Sequence, residues 1–105
     1  MGDVPLAPGP TALAEIDKAL AAKPRKDDTA LAQATTALCA LRDAMIGRHR
    51  ARPLTGDDRT RLLHLNAVIS TVLAVHFPLG EVQWGELEKA RGWLGDLLRF
   101  EGGAG

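Results

Sequence analysis

A chain of 105 residues, 46% hydrophobic and 25% charged, is long enough for one buried core and too hydrophobic to remain disordered. Thirteen basic residues balance thirteen acidic ones, so no overall field draws the protein to nucleic acid or to anionic lipid. The only cysteine, Cys39, excludes an intramolecular disulfide and a CxxC redox pair, and it favours a cytoplasmic protein.

The first ten residues predict a flexible arm. Their three prolines oppose a helix, and the segment has neither the basic start nor the apolar run of a secretory signal. Thr11 is then the expected N-cap of a short first helix, which ends near Lys23 because Pro24 follows. We therefore expect an arm over residues 1–10 and a single helical domain over residues 11–100.

A second helix is predicted after the polar turn that contains Asp27 and Asp28, since acidic residues stabilise a helix N-terminus. Gly47 and Pro53 are expected to loosen and then stop it. Its apolar residues recur at helical spacing and fall on one stripe, which a bundle would bury. The stripe comprises Leu31, Ala34, Leu38, Leu41 and Met45.

The clearest local signal begins at Thr55, which an acidic residue, Asp58, follows three positions later, just ahead of an apolar run. This is the capping-box pattern of a helix N-terminus. A third helix should run from there to about His76, because Pro78 restricts the residue before it. Residues 68–75 are compatible with a strand, but the whole pattern far exceeds the roughly five or six residues of a typical strand.

A fourth helix is predicted from Gly80 to about Phe100, with Gly80 as N-cap and a hydrophobic staple between Leu79 and Trp84. Residues 101–105 would then form a frayed tail. The apolar face of this helix comprises Leu87, Ala90, Leu94 and Leu97.

The turns between these helices are short, so each helix should run antiparallel to the one before it. The expected fold is therefore all-α, a small antiparallel up-down helical bundle of three long helices plus one short N-terminal helix. Whether that first helix forms a fourth wall or lies across the end of the bundle stays open at this stage.

The residues that commonly carry catalysis or bind metals do not cluster. His64 and His76 point in different directions on the third helix, and His49 lies before that helix. Ser70 is the only serine and lies among apolar residues without a base. No glycine-rich phosphate loop is present. We therefore expect a protein that is not an enzyme, with no catalytic residue, metal or cofactor.

Basic residues around the second turn form one cluster that could bind phosphates or an acidic partner. Helix capping and pairing with Asp57 and Asp58 explain most of it, and neither a recognition helix nor stacking aromatics accompany it. A nucleic-acid-associated accessory role is thus an alternative that we do not favour. The candidate contacts are Arg48, Arg50, Arg52, Arg59 and Arg61.

The third helix has an uncharged arc that is wider than the core of a small bundle requires. Its polar residues and terminal proline make it a poor membrane span. One side is rich in Leu, Ile and Val, whereas the other is small, weakly polar and without a partner in so short a chain. We expect a non-catalytic protein–protein interaction module, a homodimer that associates through helix 55–77 and helix 80–100. The interface candidates are Ala67, Ser70, Thr71, Ala74 and Trp93.

Overall fold

The computed structural model describes residues 7–48, 53 and 55–103, with side chains up to Arg99. Within these residues helices are the only regular secondary structure, which confirms the all-α prediction. The four helices are α1 over Pro8–Ala21, α2 over Asp28–Arg48, α3 over Gly56–His76 and α4 over Trp84–Gly103.

The helices form a closed ring around one core. α1 packs against α2 and α4, and α3 packs against the same two helices. α1 and α4 are antiparallel. Gly9, near the start of α1, lies against Leu98, near the end of α4, whereas Lys23, just beyond the end of α1, pairs with Glu88, near the start of α4. α2 and α3 are antiparallel as well, since Asp28 at the start of α2 contacts His76 at the end of α3, and Arg42 farther along α2 contacts Asn66, which precedes His76. α1 is therefore the fourth wall of an antiparallel bundle, a position that the sequence pattern left open.

The core consists mainly of alanine and branched aliphatic side chains. The whole predicted stripe of α2 and the whole predicted face of α4 are buried. α1 contributes Ile16 together with Ala12 and Ala19, all three with no exposed surface. Because alanine adds little volume between helices, it allows α1 and α2 to approach closely.

The start of α3 has the predicted capping box. The Thr55 hydroxyl accepts a hydrogen bond from the Asp58 backbone N–H at 3.1 Å, and the Asp58 carboxylate accepts one from the Thr55 N–H at 3.0 Å. The same carboxylate, which is only 3% exposed, is 2.8 Å from the Arg61 guanidinium. At the start of α2, Asp27 accepts from the N–H of Ala30 at 3.0 Å. Side-chain caps thus determine where both helices begin.

The prediction for the start of α1 is wrong. The helix begins at Pro8 rather than after Thr11, so the expected arm extends too far. The first N–H groups of a helix have no partner within it, so prolines at positions 8 and 10 remove no helical hydrogen bond. Gly9 is buried against Leu98, which makes this turn part of the domain. Residues 1–6 of the expected arm lie outside the described residues.

The prediction for α4 is wrong at both ends. The helix begins at Trp84 rather than at Gly80, and residues 101–103 continue it instead of forming a frayed tail. Leu79 is fully exposed, so it makes no staple with Trp84. Val82 and Trp84 pack against the core instead, and their burial determines where the link ends and the helix starts.

Two glycines should respond oppositely to alanine. Gly95 lies inside α4, and a methyl group there would meet nothing within 4 Å, so Gly95→Ala should stabilise the fold by about 1 kcal/mol through helix propensity. A methyl group at Gly9 would overlap the Cδ2 methyl of Leu98 and force that side chain to move from its place against the core, so Gly9→Ala should cost about 1 kcal/mol. Urea denaturation of both variants tests this, and two changes of the same sign would contradict it.

Candidate interaction surface

The outer side of α3 exposes a continuous strip of uncharged side chains. α3 contains no Asp, Glu, Lys or Arg from Leu62 to His76. Successive members of the strip are three or four residues apart, which places them on one side of a helix. All of them are exposed except Ala67, which is half-buried. We call this set the α3 strip: Thr60, Leu63, Ala67, Ser70, Ala74 and, just beyond the helix, Phe77.

Exposed large side chains stand at both ends of the α3 strip. Leu63 and Phe77 each expose 67% of their surface, and the Phe77 ring also stacks on that of His76, with the ring centroids 4.1 Å apart. Sequence reasoning missed both residues as interface candidates. The spacing of Leu63 from Ala67 was the available signal, but only the packing of α3 against α2 and α4 shows which side faces outward.

Most of the predicted interface residues come together at the seam between α3 and α4. Ser70, Thr71 and Ala74 line a shallow groove of about 250 Å³, whose other wall includes Gln83 and Glu86. The groove has no large apolar side chain at its rim except Val75, which is itself buried. It is therefore open to a side chain that projects from another molecule.

Trp93 lies farther along the same seam. Its side chain is 51% exposed, and its ring centroid is 5.8 Å from that of His64. The two rings border a second groove of about 420 Å³, which is lined also by Asp57, Thr60, Arg61, Asp96 and Leu97. The structure thus places Trp93 next to α3, but away from the groove that contains Ser70 and Ala74.

The opposite side of α4 is charged. Arg91 donates to Asp17 of α1 at 2.7 Å, and Lys23 lies 3.3 Å from Glu88. The hydrogen bond to Asp17, reinforced by its negative charge, raises the pKa of Arg91 above its usual value. The seam between α1 and α4 is therefore bridged by ion pairs within one molecule, in contrast to the uncharged α3 strip.

The structure describes only part of the predicted basic cluster. Arg50 and Arg52 lie outside the described residues, and Arg48 is the last residue of α2. Arg61 is directed at the buried carboxylate of Asp58 rather than at solvent alone. Arg59 is exposed. The described arginines therefore share one end of the bundle, and at least one of them has a structural role.

No protein-family model, curated protein or solved structure matches this chain. Among the described residues, no three His, Cys, Asp or Glu side chains are grouped so that they could hold a metal ion. None of the helices in that part of the chain is long and apolar enough to cross a membrane. The surface around α3 is thus the feature from which function is inferred.

Proposed function

We propose that this protein is a non-catalytic helical interaction module that self-associates through α3 and the adjoining edge of α4. The observation that carries this proposal is the exposure of Leu63, Phe77 and Trp93 beside a helix surface without charged residues. Removing such side chains from water is favourable, and α3 itself has no charged group to desolvate between Leu62 and His76. A contiguous exposed patch of this kind is typical of a protein contact site.

A second copy of the same chain suits this face. The protein has no net charge, and the α3 strip carries none, so two copies do not repel each other there. Two-fold symmetric homodimers are the commonest soluble assemblies, and their interfaces use the same patch on both subunits. We therefore assign the partner as another copy related by two-fold symmetry.

The size of the face requires both helices. A stable interface usually buries about 800 Å² on each partner. α3 is about 31 Å long and about 10 Å wide, so it alone offers roughly 300 Å² of footprint. The adjoining edge of α4, which carries Trp93, brings the footprint to about 600 Å² and towards the usual range.

Ala74→Arg should disrupt this dimer. An arginine at this exposed position would place a long charged side chain between the two copies, where it blocks close packing and has to be desolvated, so we expect dimerisation to weaken at least about 100-fold. Sedimentation equilibrium measures the change. Protein concentrations from about 1 to about 100 μM cover the range in which dimers with an interface of this size are expected to dissociate. Wild-type protein should be dimeric at the upper end and the variant monomeric.

Ala14→Arg is the matched control, because Ala14 is also an exposed alanine inside a helix but lies on α1. It should leave the dimer intact. A wild-type protein that stays monomeric over the whole range contradicts self-association. Equal weakening by both variants contradicts the placement of the interface on α3.

The non-catalytic part of the proposal is supported by the larger groove at Trp93. Two of its ionisable side chains already have partners, since Arg61 pairs with Asp58 and Asp96 pairs with Arg99. An active site needs an acid, base or nucleophile that is held ready for a substrate. The other two, Asp57 and His64, lie seven residues apart on α3, about 10 Å along the helix, so they are too far apart to act as a pair.

The alternative is a nucleic-acid-associated accessory role for the arginines between positions 48 and 61. It has weaker support, because Arg61, one of the two candidate arginines on α3, is engaged by Asp58, and only the other, Arg59, is exposed. Fluorescence anisotropy with short DNA and RNA at low salt tests it, since phosphate contacts make binding strongly salt-dependent. Absence of salt-sensitive binding eliminates this alternative.

A further inference from the structure

The order of large and small side chains along the α3 strip points to one arrangement of the two copies. We propose that the copies pack with their α3 helices antiparallel, about a two-fold axis that passes between Ala67 and Ser70. The proposal rests on self-association and adds the orientation and register of the partner.

The α3 strip is symmetric in position but not in size. Residues at equal distances on either side of its centre form three pairs: Leu63 with Ala74, Phe77 with Thr60, and Ala67 with Ser70. In the two outer pairs a large exposed side chain is matched with a small one. An antiparallel two-fold arrangement brings the members of each pair together across the interface.

Antiparallel packing therefore places each large side chain against a small one. Leu63 would lie on the partner's Ala74 as a knob fills a hole in packed helices, and Phe77, turned from its stack on His76, would lie on the partner's Thr60. The small central pair allows the helix axes to approach to about 8 Å. Parallel packing would instead place Leu63 against the partner's Leu63 and Ala74 against the partner's Ala74. The leucine end of the interface would then be crowded, and the alanine end would contain a void.

Trp93 fits the same register. It lies at the level of His64, about 7 Å along α3 from the axis, and the groove at Ser70 and Ala74 lies about 5 Å from the axis on the other side. Both are on the seam between α3 and α4. A two-fold axis perpendicular to the helices places the α3–α4 seam of one copy over the same seam of the other and reverses the direction of the helices. Trp93 of one copy therefore enters the groove of the other.

The groove has the chemistry to receive an indole. Its walls are the small side chains of α3, and its rim carries the Glu86 carboxylate and the Gln83 amide. A buried tryptophan normally needs an acceptor for its indole N–H. The partner's Glu86 supplies one, although it also pairs with Lys89 at 3.2 Å within its own helix.

Cysteine cross-linking distinguishes the two orientations. In a background with Cys39→Ala, the single variants Leu63→Cys and Ala74→Cys are prepared with tags of different mass, mixed, and oxidised. Antiparallel packing predicts a cross-link between the two different variants. Two copies of Leu63→Cys would be separated by about 16 Å along the helix, beyond the Cα separation of about 7 Å that a disulfide allows.

A second pair protects the test against weakened packing at position 63. Ala67→Cys and Ser70→Cys hardly alter side-chain size, and their mixture should cross-link as well. In the antiparallel arrangement each of these two variants also lies only about 4–5 Å along the helix from its own copy, within reach of a disulfide, so this pair tests self-association through the centre of the strip rather than orientation. If Leu63→Cys and Ala74→Cys each cross-link with themselves instead of with each other, the copies are parallel and the proposed register is wrong, while self-association stands. If sedimentation shows a monomer and no mixture cross-links, self-association itself fails.

Fluorescence tests the position of Trp93 separately. Trp84→Phe leaves Trp93 as the only tryptophan, and its emission should shift to shorter wavelength as dilute protein is concentrated through the dimerisation range. The variant Trp84→Phe with Ala74→Arg should show no shift. A dimer in which the emission stays unchanged places Trp93 outside the interface and overturns its assignment to the partner's groove.

Discussion

Leu65→Ala is expected to lower the free energy of unfolding by about 3–4 kcal/mol, the largest effect of a single substitution that we predict for this fold. Leu65 has no exposed surface and lies on the inner side of α3, where it faces the common core of all four helices. The substitution removes the buried side chain and leaves a cavity that a closed ring of helices can fill only partly. Urea denaturation followed by far-ultraviolet circular dichroism, at a fixed protein concentration, measures the loss.

Leu79→Ala is the matched control. The same atoms are removed from a leucine that is fully exposed in the link between α3 and α4, so the change should stay within about 0.5 kcal/mol. A large loss would mean that the predicted staple with Trp84 forms after all. Equal losses in the two variants would contradict the packing described for α3.

Asp58→Ala should cost about 3 kcal/mol, because its carboxylate both caps α3 and pairs with Arg61. It accepts the Thr55 N–H and pairs with Arg61, and it is almost completely buried. Removing it leaves a backbone donor at the start of α3 and a partly buried guanidinium without this acceptor. The Thr55 hydroxyl can still cap the helix, so α3 should shorten or loosen at its start rather than melt entirely.

Asp57→Ala provides the comparison for this prediction. Asp57 occupies the same helical turn but is exposed, so its loss removes only a favourable interaction with the helix dipole, about 0.5 kcal/mol. Thermal unfolding of both variants in one buffer separates the two roles. Similar midpoints for the two would show that the carboxylate of Asp58 is not a structural anchor.

Signals between neighbouring residues predicted those helix ends that need no distant contact. Thr55 and Asp58 form their capping box from four consecutive residues, so the start of α3 needs no distant partner. The starts of α1 and α4 depended on other parts of the chain. The contact of Gly9 with Leu98 makes the first turn of α1 part of the bundle, and the burial of Trp84 moves the start of α4 along the chain.

The candidate surface was predictable only in part. The absence of charge on α3 and its small residues Ala67, Ser70 and Ala74 are visible in the sequence. Leu63 is strongly exposed, whereas the adjacent Leu62 packs against the core. This difference depends on the exact rotation of α3 in the bundle. The groove beside Glu86 needs two helices, so no pattern within one helix could show it.

The sequence by itself determined the helical class of this protein, the capped start of α3 and the presence of an uncharged helix side larger than one core needs. Periodicity and capping are properties of neighbouring residues, so they are readable along the chain. Only the tertiary structure decided that α1 closes the ring and that Leu63, Phe77 and Trp93 are exposed on one side. Those features depend on how four helices rotate and pack against each other, which is set by the fit of side chains that are distant in sequence.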